Sequence, residues 1–230
     1  MDTFFFVILP GLALVSFFAG SIYRYFFQGF QVSSLSSQLL ENKLLFYGSR
    51  PFHWGIVTLF FGHLIGFLIP SGVLLWNSKP VRMYVLEITA LAFAFLTLAG
   101  LAVLIYRRIK VKRISLVTSR MDIFVFTILV LAIVSGIYTA FFFRWGSSWF
   151  AAVMTPYLRS IFMFNPDITS VITMPVMVKI HVISAFVLIG MIPYTRFMHF
   201  LVYPFSHLWR ESQLVIWNKK KIWNHNPKTE

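Results

Sequence analysis

Residues 52–75 read FHWGIVTLFFGHLIGFLIPSGVLL, a run with no Asp, Glu, Lys or Arg that nonetheless holds His53 and His63. About 20 consecutive apolar residues suffice for a helix to cross the hydrocarbon core of a bilayer. An ionisable side chain inside such a span is costly and usually marks a site. The stretch therefore predicts a membrane helix that carries chemistry.

Four further apolar runs surround it, at 4–27, 83–106, 121–143 and 175–203. Together they predict an all-α integral membrane bundle of five transmembrane helices in a single domain. Composition agrees. Hydrophobic residues make up 58% of the 230 and charged residues 12%, roughly half the charged share of a typical soluble domain. A soluble fold of this size has too little polar surface to cover so much apolar material, so lipid must act as part of its solvent. No internal repeat or low-complexity segment is evident. The first run lacks a basic leading region and is too long for the apolar part of a signal peptide, so it is read as a span rather than a cleavable signal. The absence of cysteine excludes disulfides, thiolate-ligated iron–sulfur clusters, covalently attached haem and Cys-based zinc sites.

Charge fixes the expected orientation. The segment 107–120 carries Arg107, Arg108, Lys110, Lys112, Arg113 and Arg120 with no acid, and such loops lie on the cytoplasmic side. With five spans, the N-terminus is then outside and the C-terminus cytoplasmic. The tail 204–230 agrees, with Arg210, Lys219, Lys220, Lys221 and Lys228. The first loop, with Arg24, Lys43 and Arg50 against Glu41, falls on the same side. The net charge of +13 is explained by these loops, and nucleic acid is not an expected partner. The loop 144–174 on the outer side holds Trp145, Trp149, Tyr157 and Phe162 with Pro156 and Pro166. It reads either as a short helix lying in the interface or as an irregular loop with interfacial anchors.

Four of the six histidines fall in spans: His53 and His63 in the second, His181 and His199 in the fifth. The second span runs outward and the fifth inward. His53 and His199 therefore both lie towards the cytoplasm, and His63 and His181 both lie towards the outside. Two facing histidines at one depth can supply both axial ligands to a haem iron, which favours electron transfer over oxygen chemistry. The spacings do not match simply: in straight helices the first pair is about 15 Å apart along its axis and the second about 27 Å. Eighteen residues is five whole turns, which puts His181 and His199 on one helix face, whereas ten residues turns His53 and His63 to different directions. Pro193 can kink the fifth helix between its two histidines. Proton-relay histidines, or histidines bonded only within the core, fit the same positions. Gly55, Gly62 and Gly66 flank the second-span histidines and permit close approach of a flat macrocycle or of another helix. His207 and His225 lie beyond the fifth span and are given no haem role.

At these histidines the chain resembles the gamma subunit of respiratory nitrate reductase, a membrane dihaem cytochrome b. The resemblance covers nearly the whole chain. It rests on Gly20-Ser21 with Arg24-Tyr25 closing the first span and on Ser36-Ser37-Gln38-Leu39-Leu40 in the loop after it. It rests also on Phe52-His53-Trp54-Gly55, Gly62-His63-Leu64-Ile65-Gly66 and Asp122-Ile123. In the fifth span it rests on Lys179-Ile180-His181, Pro193-Tyr194-Thr195-Arg196, His199 and Pro204.

The resemblance implies two haem b groups. His63 and His181 would bind the distal haem, nearer the outside, and His53 and His199 the proximal one. It implies quinol, menaquinol or ubiquinol, oxidised beside Gly62 and His63 near the distal haem. Electrons would then pass inward to a cytoplasmic iron–sulfur beta subunit and a molybdenum-cofactor alpha subunit, at the cytoplasmic membrane of a prokaryote. The family's best-known member has a lysine near the start of the third span that is linked to quinol binding. Here the matching stretch is Val81-Arg82-Met83-Tyr84, so Arg82 or Lys79 takes that part, or both serve as snorkelling anchors. Arg107, Arg108, Arg196 or Arg24 are candidates to pair with haem propionates, or act as topology anchors. Competing readings are the equivalent subunit of another quinone-linked complex, such as nitrite oxidation with reversed electron flow, and a haem-free proton channel or transporter.

Overall fold

The computed structural model describes residues 1–27 and 40–201. Its regular structure is helical, with five helices long and apolar enough to cross a membrane. The tail 204–230, with His207, His225 and its lysines, lies outside the described residues. So do the loop positions Ser36 to Leu39 and the last two residues of the run 175–203.

The first span comprises a π-helical turn, Phe4–Ile8, and α1, Leu9–Phe27. The second run is divided rather than continuous. Helix α2 covers Lys43–Leu68, and a separate short α3 covers Pro70–Asn77. Pro70 disfavours helical backbone at the residue before it, and Ile69 adopts φ −128°, ψ 61°. Proline is then well placed in the first turn of α3, where its missing N–H would have no partner anyway. At its other end α2 starts earlier than residue 52, because the Glu41 carboxylate accepts the N–H groups of Leu44 (2.7 Å) and Leu45 (3.3 Å).

Helix α4, Pro80–Lys110, and α6, Arg120–Phe142, are joined through the short α5, Lys112–Leu116. The start of α6 is fixed by a reciprocal pair of hydrogen bonds between Ser119 and Asp122. The segment 144–174 is largely helical: α7 at Gly146–Trp149, a π-helical turn at Phe150–Met154, α8 at Thr155–Phe162 and α9 at Thr169–Ile172. It is not merely laid on the surface. Met154, Tyr157 and Val171 are buried with Phe6, Ala13 and Phe186, and the Tyr157 hydroxyl donates to the carbonyl of Phe6. Tyr157 is thus a core residue and not the interfacial anchor its composition suggests, whereas Trp145 and Phe162 are exposed as expected. Burial away from water pushes the Tyr157 phenol pKa well up.

The fifth run is also divided. Helix α10 covers Val176–Met191 and passes into 3₁₀ turns at Ile192–Tyr194 and Arg196–Met198, with Thr195 fully extended between them. His181 and His199 therefore do not share one face of a continuous helix, which corrects the expectation from their eighteen-residue spacing. Pro193 is the cause: it cannot continue the α-helical hydrogen-bond ladder.

Neighbouring helices run in the order α1, α10, α6, α4, α2, and α2 packs most extensively on α4. Glycines allow that contact. A Cβ at Gly48 would meet the side chain of Leu104 at 2.9 Å. One at Gly55 would overlap Thr97 and the Phe93 carbonyl, and one at Gly100 would overlap the backbone of Phe52. One end of the bundle gathers charge: Arg107 pairs with Glu41 at 2.7 Å, and Asp122 pairs with both Arg108 (3.2 Å) and Arg196 (3.4 Å). The opposite end holds the N-terminus and the α7–α9 segment.

Candidate functional site

α2 and α10 are not among the closely packed helix pairs. Imidazoles stand between them instead. The rings of His63 and His181 are 6.1 Å apart, centre to centre, with planes inclined at 33°. Those of His53 and His199 are 6.0 Å apart at 60°. The pairing by depth that topology predicts is therefore the pairing observed, and the mismatch in spacing is removed by the break after Met191. His199 is carried on the turn Arg196–Met198 and its exit, not on a straight continuation of α10.

The hydrogen bonds choose one tautomer throughout. Nδ1 of His53 donates to the carbonyl of Ser49 (2.7 Å), and Nδ1 of His63 to that of Leu59 (2.8 Å). Nδ1 of His181 donates to the carbonyl of Ala132 (2.8 Å), and Nδ1 of His199 to that of Arg196. A carbonyl can only accept, so each Nδ1 carries a proton, and in the neutral ring the lone pair is then on Nε2. This is the arrangement that metal-bound histidines use: one nitrogen ligates while the other is anchored by an acceptor.

The spacing fits the same chemistry. Two imidazoles facing each other across one metal ion, each bonded at about 2 Å, have ring centres about 6 Å apart. Among the described residues no three His, Cys, Asp or Glu side chains converge on a common point. A macrocycle that itself supplies the equatorial donors asks the protein for only two axial ligands. The residues present therefore fit two bis-histidine haems.

The surroundings of the two pairs differ. The edge of Phe150 meets the His63 ring at 5.4 Å, and a Cβ at Gly66 would meet Phe150 at 2.8 Å. Gly55 and Gly66 thus serve packing, whereas a Cβ on Gly62 would meet nothing within 4 Å. Thr155 and Arg159 donate to the carbonyls of Gly66, Phe67 and Leu68 and so close the end of α2 beyond His63. Beside the other pair, Arg24 donates to the carbonyl of Pro193 (2.8 Å), and Arg196 pairs with Asp122. The arginines considered for propionates are thus already engaged, Arg107 with Glu41, Arg108 and Arg196 with Asp122, and Arg24 with Pro193. Arg82 lies at the corner between α3 and α4, with its guanidinium 5.3 Å from the Trp76 ring and within 3.4 Å of the Ser78 hydroxyl. Sequence reasoning missed the Ala132 carbonyl, Phe150, Thr155 and Arg159. A backbone carbonyl has no letter in the sequence, and the other three looked like ordinary loop residues.

These features define a multi-pass helical membrane protein whose second and fifth spans meet at two stacked pairs of histidines. The chain belongs to the nitrate reductase gamma subunit family, whose pattern matches residues 2–218. It is 34% identical over 217 residues to the nitrate reductase gamma chain of Bacillus subtilis (strain 168), covering 93% of this chain and 96% of that one. It is 29% identical over 221 residues to the respiratory nitrate reductase 2 gamma chain of Escherichia coli (strain K12), covering 94% and 96%. The nitrate reductase-like protein NarX of Mycobacterium tuberculosis is 28% identical over 215 residues, which span 91% of this chain and 33% of that longer protein.

Proposed function

We propose that this chain is the dihaem cytochrome b subunit of a respiratory nitrate reductase, and that it oxidises quinol near the outer face of the cytoplasmic membrane. The single observation that supports it most is the doubled dihistidine geometry: two facing pairs about 6 Å apart with all four Nδ1 atoms committed to carbonyls. His63 and His181 hold the outer haem, and His53 and His199 the inner one. Haem held there would supply one-electron redox chemistry suited to electron transfer.

The remaining work belongs to the protein. Gly62 leaves the flank of α2 beside His63 open to a flat quinol headgroup, and Arg82 offers a cation at the same end of the bundle. Protons released there enter the outer aqueous phase, while the histidine pairs fix the route of negative charge inward. Charge separated in this way builds membrane potential at roughly 2.3 kcal/mol per charge per 100 mV. The cationic end, with Arg107 and Arg108, faces the cytoplasm and the iron–sulfur and molybdenum-containing partner subunits.

Haem quantitation and redox spectroscopy on the purified complex test this. Two b haems per chain are expected, with His63→Ala or His181→Ala removing one and His53→Ala or His199→Ala removing the other. A wild-type chain without haem, or variants in which all four substitutions affect the same haem, would sink the assignment. Arg82→Ala is expected to raise KM for quinol about tenfold, equivalent to 1.4 kcal/mol, at unchanged haem content.

A further inference from the structure

Three of the four histidines find their Nδ1 acceptor within their own segment. His53 and His63 use the carbonyl four residues back, and His199 uses the carbonyl three residues back. His181 differs. Its acceptor is the carbonyl of Ala132 on α6, forty-nine positions away in sequence. The Ser135 hydroxyl donates chiefly to the Leu131 carbonyl at 2.5 Å and lies 3.1 Å from the Ala132 carbonyl. One turn further along α6, a Cβ placed on Gly136 would lie 2.9 Å from Cε1 and 3.0 Å from Nδ1 of the same imidazole. Real Cβ atoms essentially never approach so closely, and the ring cannot yield without leaving the Ala132 carbonyl or tilting away from His63.

We propose that α6, which contributes no histidine of its own, positions His181 through Gly136 and the Ala132 carbonyl and thereby sets the orientation and donor strength of one axial imidazole of the outer pair. The proposal rests on the haem reading above. Gly136 is required because its missing side chain admits the ring edge. An imidazole whose Nδ1–H is held by a stronger acceptor is a more basic ligand and stabilises oxidised iron. Weakening that bond raises the reduction potential of the site, and strengthening it lowers the potential. Nδ1 of His53 and of His199 is held by a carbonyl of its own segment, so the inner pair serves as an internal reference.

The test is a redox titration with electron paramagnetic resonance on the purified complex, with the two haems followed separately. Gly136→Ala is expected to shift the outer-haem signal and raise its midpoint potential, or to lose that haem selectively, with the inner haem unchanged. Alanine is the better helix former, so the exchange does not weaken α6 itself. Gly11→Ala, where a Cβ would meet nothing within 4 Å, is the silent control. Wild-type signals and potentials at both haems in Gly136→Ala would overturn the proposal. A Gly136→Ala chain that accumulates with neither haem overturns it as well, because the proposal confines the effect to the outer pair. A wild-type complex lacking haem would instead overturn the parent assignment, leaving the contact between His181 and α6 a packing feature.

Discussion

Gly100 shows how far a single hydrogen atom reaches in this chain. It lies where α4 passes close to α2, opposite Phe52, the residue before His53. Gly100→Ala forces α2 and α4 apart, and overpacking of this kind costs about 1–3 kcal/mol. The expected outcome is a lower melting temperature in detergent, with the inner haem released before the outer one, as followed by absorbance during heating. The four histidines are legible in the sequence, because an ionisable residue is costly inside an apolar run and is seldom kept there without a chemical use. Gly136 is not legible. A glycine in an apolar helix reads as packing until the ring it touches is known, and that ring is forty-five positions away.

At the scale of elements, the break after Met191 reconciles the spacings within the two histidine-bearing spans. A straight helix from His181 to His199 would separate them by about 27 Å, against about 15 Å for His53 and His63. Pro193, braced by Arg24 on its carbonyl and packed against Gly20 of α1, ends α10 in time for His199 to meet His53. Pro193→Ala removes a penalty of about 3 kcal/mol or more against continuing the helix. The expected result is loss of much of the inner haem with the outer haem retained, read as haem content per chain. Hydropathy made the existence of all five spans readable. It misjudged the second, carrying it through Pro70, because apolar residues continue on both sides of that break and only backbone geometry reveals it. The helical character of 144–174 was open in the sequence, and its burial was hidden, because Tyr157 reads as an interfacial residue until Phe6 is seen to cover it.

For the whole molecule, the cationic end is both an orientation signal and a structural clamp. The chain lacks cysteine, so single introduced thiols report sidedness cleanly. Phe164→Cys, at a position 94% exposed, is expected to react with an impermeant maleimide added to spheroplasts, and Leu116→Cys, at a position 81% exposed, only after lysis. The reverse pattern would invert the topology. The clamp also responds to pH. Burial pushes the Glu41 carboxyl up, but the Leu44 N–H, the Arg107 guanidinium and the Leu45 N–H outweigh it and hold the carboxyl below its usual range. A carboxylate with a depressed folded-state pKa stabilises the protein above its unfolded pKa, and that contribution disappears as pH falls through the folded value. Thermal stability in detergent is therefore expected to decline in acid. Glu41→Gln should lose about 1–3 kcal/mol at neutral pH and show a shallower acid decline.

Each histidine pair draws one partner from α2 and the other from α10 or the turns that follow it. During synthesis the chain therefore emerges with two half-built clasps, and both wait for the last of the five spans to be threaded into the lipid. If these pairs hold haem as proposed, its capture is the closing event of biogenesis, and a ribosome that stalls after α6 leaves a polypeptide with neither clasp complete.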